Sequence, residues 1–139
     1  EPEAWIQYAF DKTYKFDRMR LWNHNSQSEQ TLGYGIRQAV IAYSLDGQTW
    51  TQFGAVELAQ ASGRTDYTGV DVPLGEIVAR YVKITAASNW STLGLHNAGL
   101  SEVRFYTLPT AAREPGPADD TQGLDPVVSL RWRAGREAA

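Results

Sequence analysis

Residues 79–90 read ARYVKITAASNW. Tyr81, Lys83 and Thr85 alternate with Val82 and Ile84, the period of two that a strand with one buried face requires. The alternation stops at Asn89 and Trp90, and a glycine-interrupted loop runs on to residue 99. That loop holds Trp90, Leu93, Leu95, His96 and Asn97. It is too apolar for idle surface and too broken by glycine for core. The stretch therefore sets two questions: which sheet the strand joins, and what the loop does.

Working outward, six strand-like runs appear, at residues 4–10, 16–23, 37–45, 49–53, 68–72 with 78–86, and 100–108. YSLDGQTW, residues 43–50, reads as a hairpin whose Asp46-Gly47 favours a tight primed turn. Trp5 and Trp50 fall at strand positions and are expected in the core. Helical periodicity is absent, apart from one turn expected in residues 56–63. Twelve glycines, seven tyrosines and five tryptophans fit the same all-β reading.

Composition narrows the function. The hydrophobic share of 42% can build a core, and the net charge of −3 lacks the basic face of a nucleic-acid binder. There is no cysteine, which removes disulfides and thiol chemistry. No stretch has the ~20 apolar residues of a membrane helix. The chain opens at Glu1 rather than Met and reads as part of something longer. Residues 109–126, rich in Pro, Gly, Ala and Asp, are expected to form a linker. Residues 127–139 are expected to begin a neighbouring domain that takes Trp132 into its own core.

In an antiparallel sheet, strands point alternately up and down. Following that parity, and allowing a turn at 73–77, places the loops 23–35, 54–67 and 87–99 at one end. Long loops on a rigid scaffold are where binding residues are carried. Both histidines of the chain, His24 and His96, fall there with Asn25, Tyr34, Arg64, Trp90 and Asn97. Aromatic faces with amide, imidazole and guanidinium groups suit a sugar ring. Each also has a plainer reading: the asparagines as turn formers, Trp90 as a prop beneath its loop. Glu29, Glu57 and Asp66 lie in these loops without the paired arrangement a glycosidase needs, so catalysis is not expected.

The segments WIQYAFDKTYKFDRMRLWN (5–23), YSLDGQTW (43–50), ARYVKITAASNW (79–90) and GLSEVRFY (99–106) resemble the discoidin-like, coagulation factor V/VIII type C domain. Among its members they look most like bacterial family 32 carbohydrate-binding modules. The resemblance covers residues 4–108 and implies an antiparallel β-sandwich of jelly-roll type, without its first strand. It implies a non-catalytic module, secreted or at the cell surface, that attaches a larger protein to a glycan. The last segment, 127–139, is similar to the opening of a fibronectin-type-III-like domain. In calcium-binding relatives the Glu matching Glu102 is a ligand. The resemblance thus implies structural calcium in a full-length parent, and weak or no calcium here. A second reading is a discoidin-type domain that grips a protein or phospholipid surface through apolar tips, here Leu93 and Leu95. The loops offer mainly Arg64 as a cation, against Glu29, Glu57 and Asp66, so a membrane is the less expected partner.

Overall fold

The computed structural model describes residues 3–109, 113–118, 122, 123, 127 and 129–133. Its elements are β1 (Ala4–Asn23), α1 (Glu29–Leu32), β2 (Ile36–Ser44), β3 (Thr51–Glu57), β4 (Val70–Asn89), β5 (Leu100–Thr107), β6 (Arg113–Gly116) and β7 (Arg131–Arg133). Five strands form one antiparallel sheet in the order β3-β2-β4-β1-β5. β6 and β7 pair with each other.

Two pairs of expected strands are single strands. β1 and β4 each run for 20 residues and bend midway. In β1 the bend falls where its register with β4 jumps from Ala9↔Tyr81 to Tyr14↔Ala79. In β4 it falls at Gly75 and Glu76, with φ of 63° and 67°. The turn expected at 73–77 is therefore a kink inside a strand, which leaves the parity of the loops unchanged.

Phe105 reports how far the strands double over. It pairs with Met19 across β5 and β1. Its ring centroid nevertheless lies 5.1 Å from that of Tyr8, which an extended strand would put about 35 Å from Met19. The first half of β1 and the second half of β4 join β2 and β3 in one layer. The other halves join β5 in a second, facing layer. Side chains of both meet in one core: Phe16, Met19, Leu21, Val72 and Leu74 against Ala39, Ile41, Val82 and Ile84. Burying each larger side chain, such as Phe16 or Met19, contributes roughly 2–3 kcal/mol. The result is the expected β-sandwich.

Some local expectations need correction. Ser44 and Thr51 are separated by a six-residue loop rather than a two-residue primed turn. Only Gly47 has a positive φ there. The Asp46 carboxylate instead collects the Gln48 and Thr49 N–H groups and the Ser44 hydroxyl. The short helix lies at 29–32 and not within 56–63. Trp5 is 64% exposed rather than buried. Its partner across the ladder is Thr85, on the outer face, while Ile6 and Tyr8 pair with Ile84 and Val82. Along its other edge this stretch of β1 meets no strand among the described residues. Trp132 in β7 is also 64% exposed, and much of the expected linker and following domain lies outside the described residues.

Candidate functional site

The three loops at one end are bolted together. The Trp90 indole N–H donates to the Leu58 carbonyl at 2.9 Å, and the Trp90 backbone N–H lies 3.1 Å from the carbonyls of Gly33 and Gly35. Asn25 spans to the second loop, donating to the Arg64 carbonyl and accepting from the Gly63 N–H, each at 2.7 Å. Gln60 donates to the Glu29 carbonyl at 2.8 Å. Gly33 closes α1 with φ 67°, where a Cβ would stand 2.4 Å from the Ser91 nitrogen. Only glycine lets the two loops approach so closely.

Under these loops lies a buried polar group set. Asn23 is 1% exposed, and its amide donates to the carbonyls of Ile36 and Ala59 while accepting from the N–H of Ile36 and His24. Glu29 is fully buried. Its Oε1 accepts from the Gly35 N–H at 2.9 Å, and its Oε2 lies 2.7 Å from His24 Nδ1. A carboxylate can sit out of water only when paired and hydrogen-bonded in this way. The Tyr67 hydroxyl is buried close to the Asn23 backbone, and burial pushes its phenol up.

The surface above divides into parts. The His24 ring, 32% exposed, stands edge-on to Tyr34 with centroids 5.7 Å apart. Beside it in sequence, an open cleft of about 500 Å³ is lined by Asn25, Gln27, Gly63, Arg64, Thr65 and Asp66. Asn25 is spent on holding the loop, whereas the Arg64 guanidinium has no ion-pair partner among the described residues. His96 lines a separate cleft of about 450 Å³ with Ala4, Ala86, Asn89 and Leu95. There the Asn89 amide is occupied by the carbonyls of Leu95 and Asn97. Asn97 thus contributes its backbone, with its exposed side chain outside. Trp90 is half-buried beneath its loop, with the Arg37 guanidinium 4.8 Å from its ring.

The sequence model of the F5/8 type C domain matches residues 1–97. The chain belongs to this family. No curated protein matches it. Among solved structures this F5/8 type C domain is similar to CBM32-3, from a family 31 glycoside hydrolase of Clostridium perfringens. The identity is 21% and the TM-score 0.61, over 77% of this chain and 68% of that one. It is also similar to CBM32-2 of a family 31 glycoside hydrolase bound to GalNAc. That match has 14% identity and a TM-score of 0.50, over 73% and 62% of the two chains. A third neighbour is a family 89 glycoside hydrolase of Clostridium perfringens, in complex with GlcNAc-α-1,4-galactose. It matches at 14% identity and TM-score 0.55, over 74% of this chain but only 10% of that one. At these identities the shared property is the fold.

In this F5/8 type C domain Glu102 is engaged with its own strand and the one beside it among the described residues. It lies on β5 opposite Trp22 and accepts from the Arg104 guanidinium, which also covers the Trp22 ring at 5.0 Å. A calcium ion wants six or more oxygens, and the described residues bring no three His, Asp or Glu side chains together. The residue that sequence reading undervalued is Glu29, which looked like one stray carboxylate among three. Nothing in its local sequence announces burial, because its carboxylate is met by a backbone N–H, that of Gly35, and by His24, and only the folded loop brings these to it.

Proposed function

We propose that this domain is a non-catalytic carbohydrate-binding module that holds a larger secreted or surface protein on glycans. The observation that carries this reading is the bolted loop end, where a carboxylate-oriented His24 stands beside Tyr34 and the next residue, Asn25, lines the cleft that holds Arg64 and Asp66. Sugar recognition needs fixed polar groups near an aromatic ring, on a site largely formed before the ligand arrives. The GalNAc-bound neighbour of the same fold supports the ligand class. The leucines of the third loop do not make a paired apolar spike: Leu93 is 61% exposed, but Leu95 is half-buried. That favours a glycan over a lipid surface.

The module acts by proximity, raising the effective concentration of an attached domain at its polysaccharide. A shallow single site implies a Kd on the order of 10 μM to 1 mM. The test is a broad glycan array followed by calorimetry. Wild-type protein is expected to bind a defined set of glycans, and Arg64→Ala to lose that binding with an unchanged melting temperature. Wild-type silence on the array would refute the reading, and salt-sensitive retention on anionic vesicles would replace it.

A further inference from the structure

We infer that Glu29 is a positioning residue that holds the His24 ring in its Nδ1–H tautomer, so that Nε2 meets the ligand as a hydrogen-bond acceptor. The inference rests on the glycan reading for the identity of the ligand, but the state of the ring can be read without one.

Three observations carry it. First, both Glu29 oxygens are assigned. Oε1 accepts from a backbone N–H, that of Gly35, which has no alternative role but donor. Oε2 faces His24 Nδ1 at 2.7 Å, in the range of charge-assisted bonds. An ionised carboxylate can only accept, so the hydrogen between the two atoms is the one on Nδ1. Second, Glu29 cannot swing away. It is fully buried, its backbone N–H donates to the Ser26 carbonyl, and its own carbonyl is held by Gly33 and Gln60. A Cβ at position 35 would stand 2.9 Å from both Glu29 Oε1 and Asn23 Oδ1, so glycine there permits the arrangement. Third, the ring is held from both sides while its far nitrogen stays free. Tyr34 stands edge-on at 5.7 Å, and the ring packs against Gly99, where a Cβ would come within 3.4 Å of its Cδ2. Nε2 has no hydrogen-bond partner among the described residues, and the side chain is 32% exposed.

A neutral imidazole carries one N–H. With that proton committed inward, Nε2 only accepts. The ligand group above it must then donate, as a sugar hydroxyl does. A ligand presenting only an acceptor there leaves two lone pairs facing each other and is rejected, because specificity of this kind comes from unpaired polar groups.

The chain has only two histidines, so a long-range proton–nitrogen correlation spectrum of the free protein contains two imidazoles. His96→Gln assigns them. At pH 8 the His24 ring is expected to show a protonated Nδ1 and an unprotonated Nε2. In Glu29→Gln the amide oxygen remains on the Gly35 N–H, which turns the NH₂ toward His24. The ring proton is then expected to move to Nε2. Protonation of Nε2 in the wild type overturns the inference, even if the variant fails to fold. A folded Glu29→Gln protein whose His24 keeps the wild-type pattern overturns it too. N-acetylgalactosamine and the array-selected glycan, titrated in parallel, report separately: silence there counts against the glycan reading and leaves the ring assignment standing.

Discussion

The indole N–H of Trp90 ends on the carbonyl of Leu58, 2.9 Å away, and so ties the third loop to the second beneath the surface where a ligand would sit. Leu58 is fully buried, which puts the bond at a site where an unmet acceptor is costly. Trp90→Phe keeps a ring for Arg37 but removes the donor. The expected loss is about 1–3 kcal/mol, read by urea denaturation, with the overall fold retained in circular dichroism. An unchanged midpoint would show that water replaces the indole.

Gly35→Ala puts a methyl group 2.9 Å from Glu29 Oε1 and Asn23 Oδ1, two atoms that cannot retreat without losing their own bonds. Overpacking of this kind costs about 1–3 kcal/mol. Ligand binding is expected to fall with stability, because the displaced carboxylate releases His24. Gly94→Ala is the comparison within the loops: its added Cβ would meet nothing within 4 Å, though its φ of 70° adds backbone strain of its own. It is expected to lower stability without altering the His24 ring signals.

Asp46 gives the loop between β2 and β3 a pH dependence of known sign. The N–H groups of Gln48 and Thr49, with the Ser44 hydroxyl, hold its carboxyl well below the ordinary range. In the unfolded chain it titrates near about 3.9. The folded state therefore prefers the charged form, so this stabilisation is complete above that value and is lost as pH falls below it. A denaturation series from pH 6 to pH 2 should show a shallower acid slope for Asp46→Asn. Equal slopes would place the acid sensitivity elsewhere, with Asp71, lowered by its bond to Arg20, as the next candidate.

The stretch 4–10 combines exposed Trp5 and Ile6 with an edge that meets no strand among the described residues, and it contains neither lysine nor proline. Such edges template pairing with another chain. Trp5→Lys is expected to reduce concentration-dependent light scattering without shifting the melting temperature by more than about a degree, as befits an exposed substitution. Scattering that does not change would show that the edge is already protected.

The sequence made the sheet legible wherever one face is buried and the other wet. Val82, Ile84 and their neighbours announce a strand through alternation, and the parity of successive strands located the loop end. The bends were not legible as bends, since a kink at Gly75 and Glu76 and a true turn look alike in a string of residues. Trp5 was misplaced because alternation assigns a face only once the register is known. The interior of the site was hidden for a different reason. Asn25, Trp90 and Glu29 are polar or amphipathic residues in loops, and what decides their roles is a partner thirty or more residues away, or a backbone N–H that a side-chain pattern does not reveal. Arg64 and His24 look the same in sequence as Asn25, yet two of the three keep a side-chain group free and the third does not.

β5 begins at the loop end, with Leu100 beside Asn23, and finishes at the far end, with Thr107 beside Phe16 and the Leu108 N–H on the Lys15 carbonyl. Anything gripped by the loops and anything attached beyond Thr107 therefore pull from opposite ends of the domain. Tension between them runs along β5 and loads its ladder with β1 in shear, so its hydrogen bonds bear the force together instead of opening one after another. A load applied between the loop end and Thr107 would act along this strand's length.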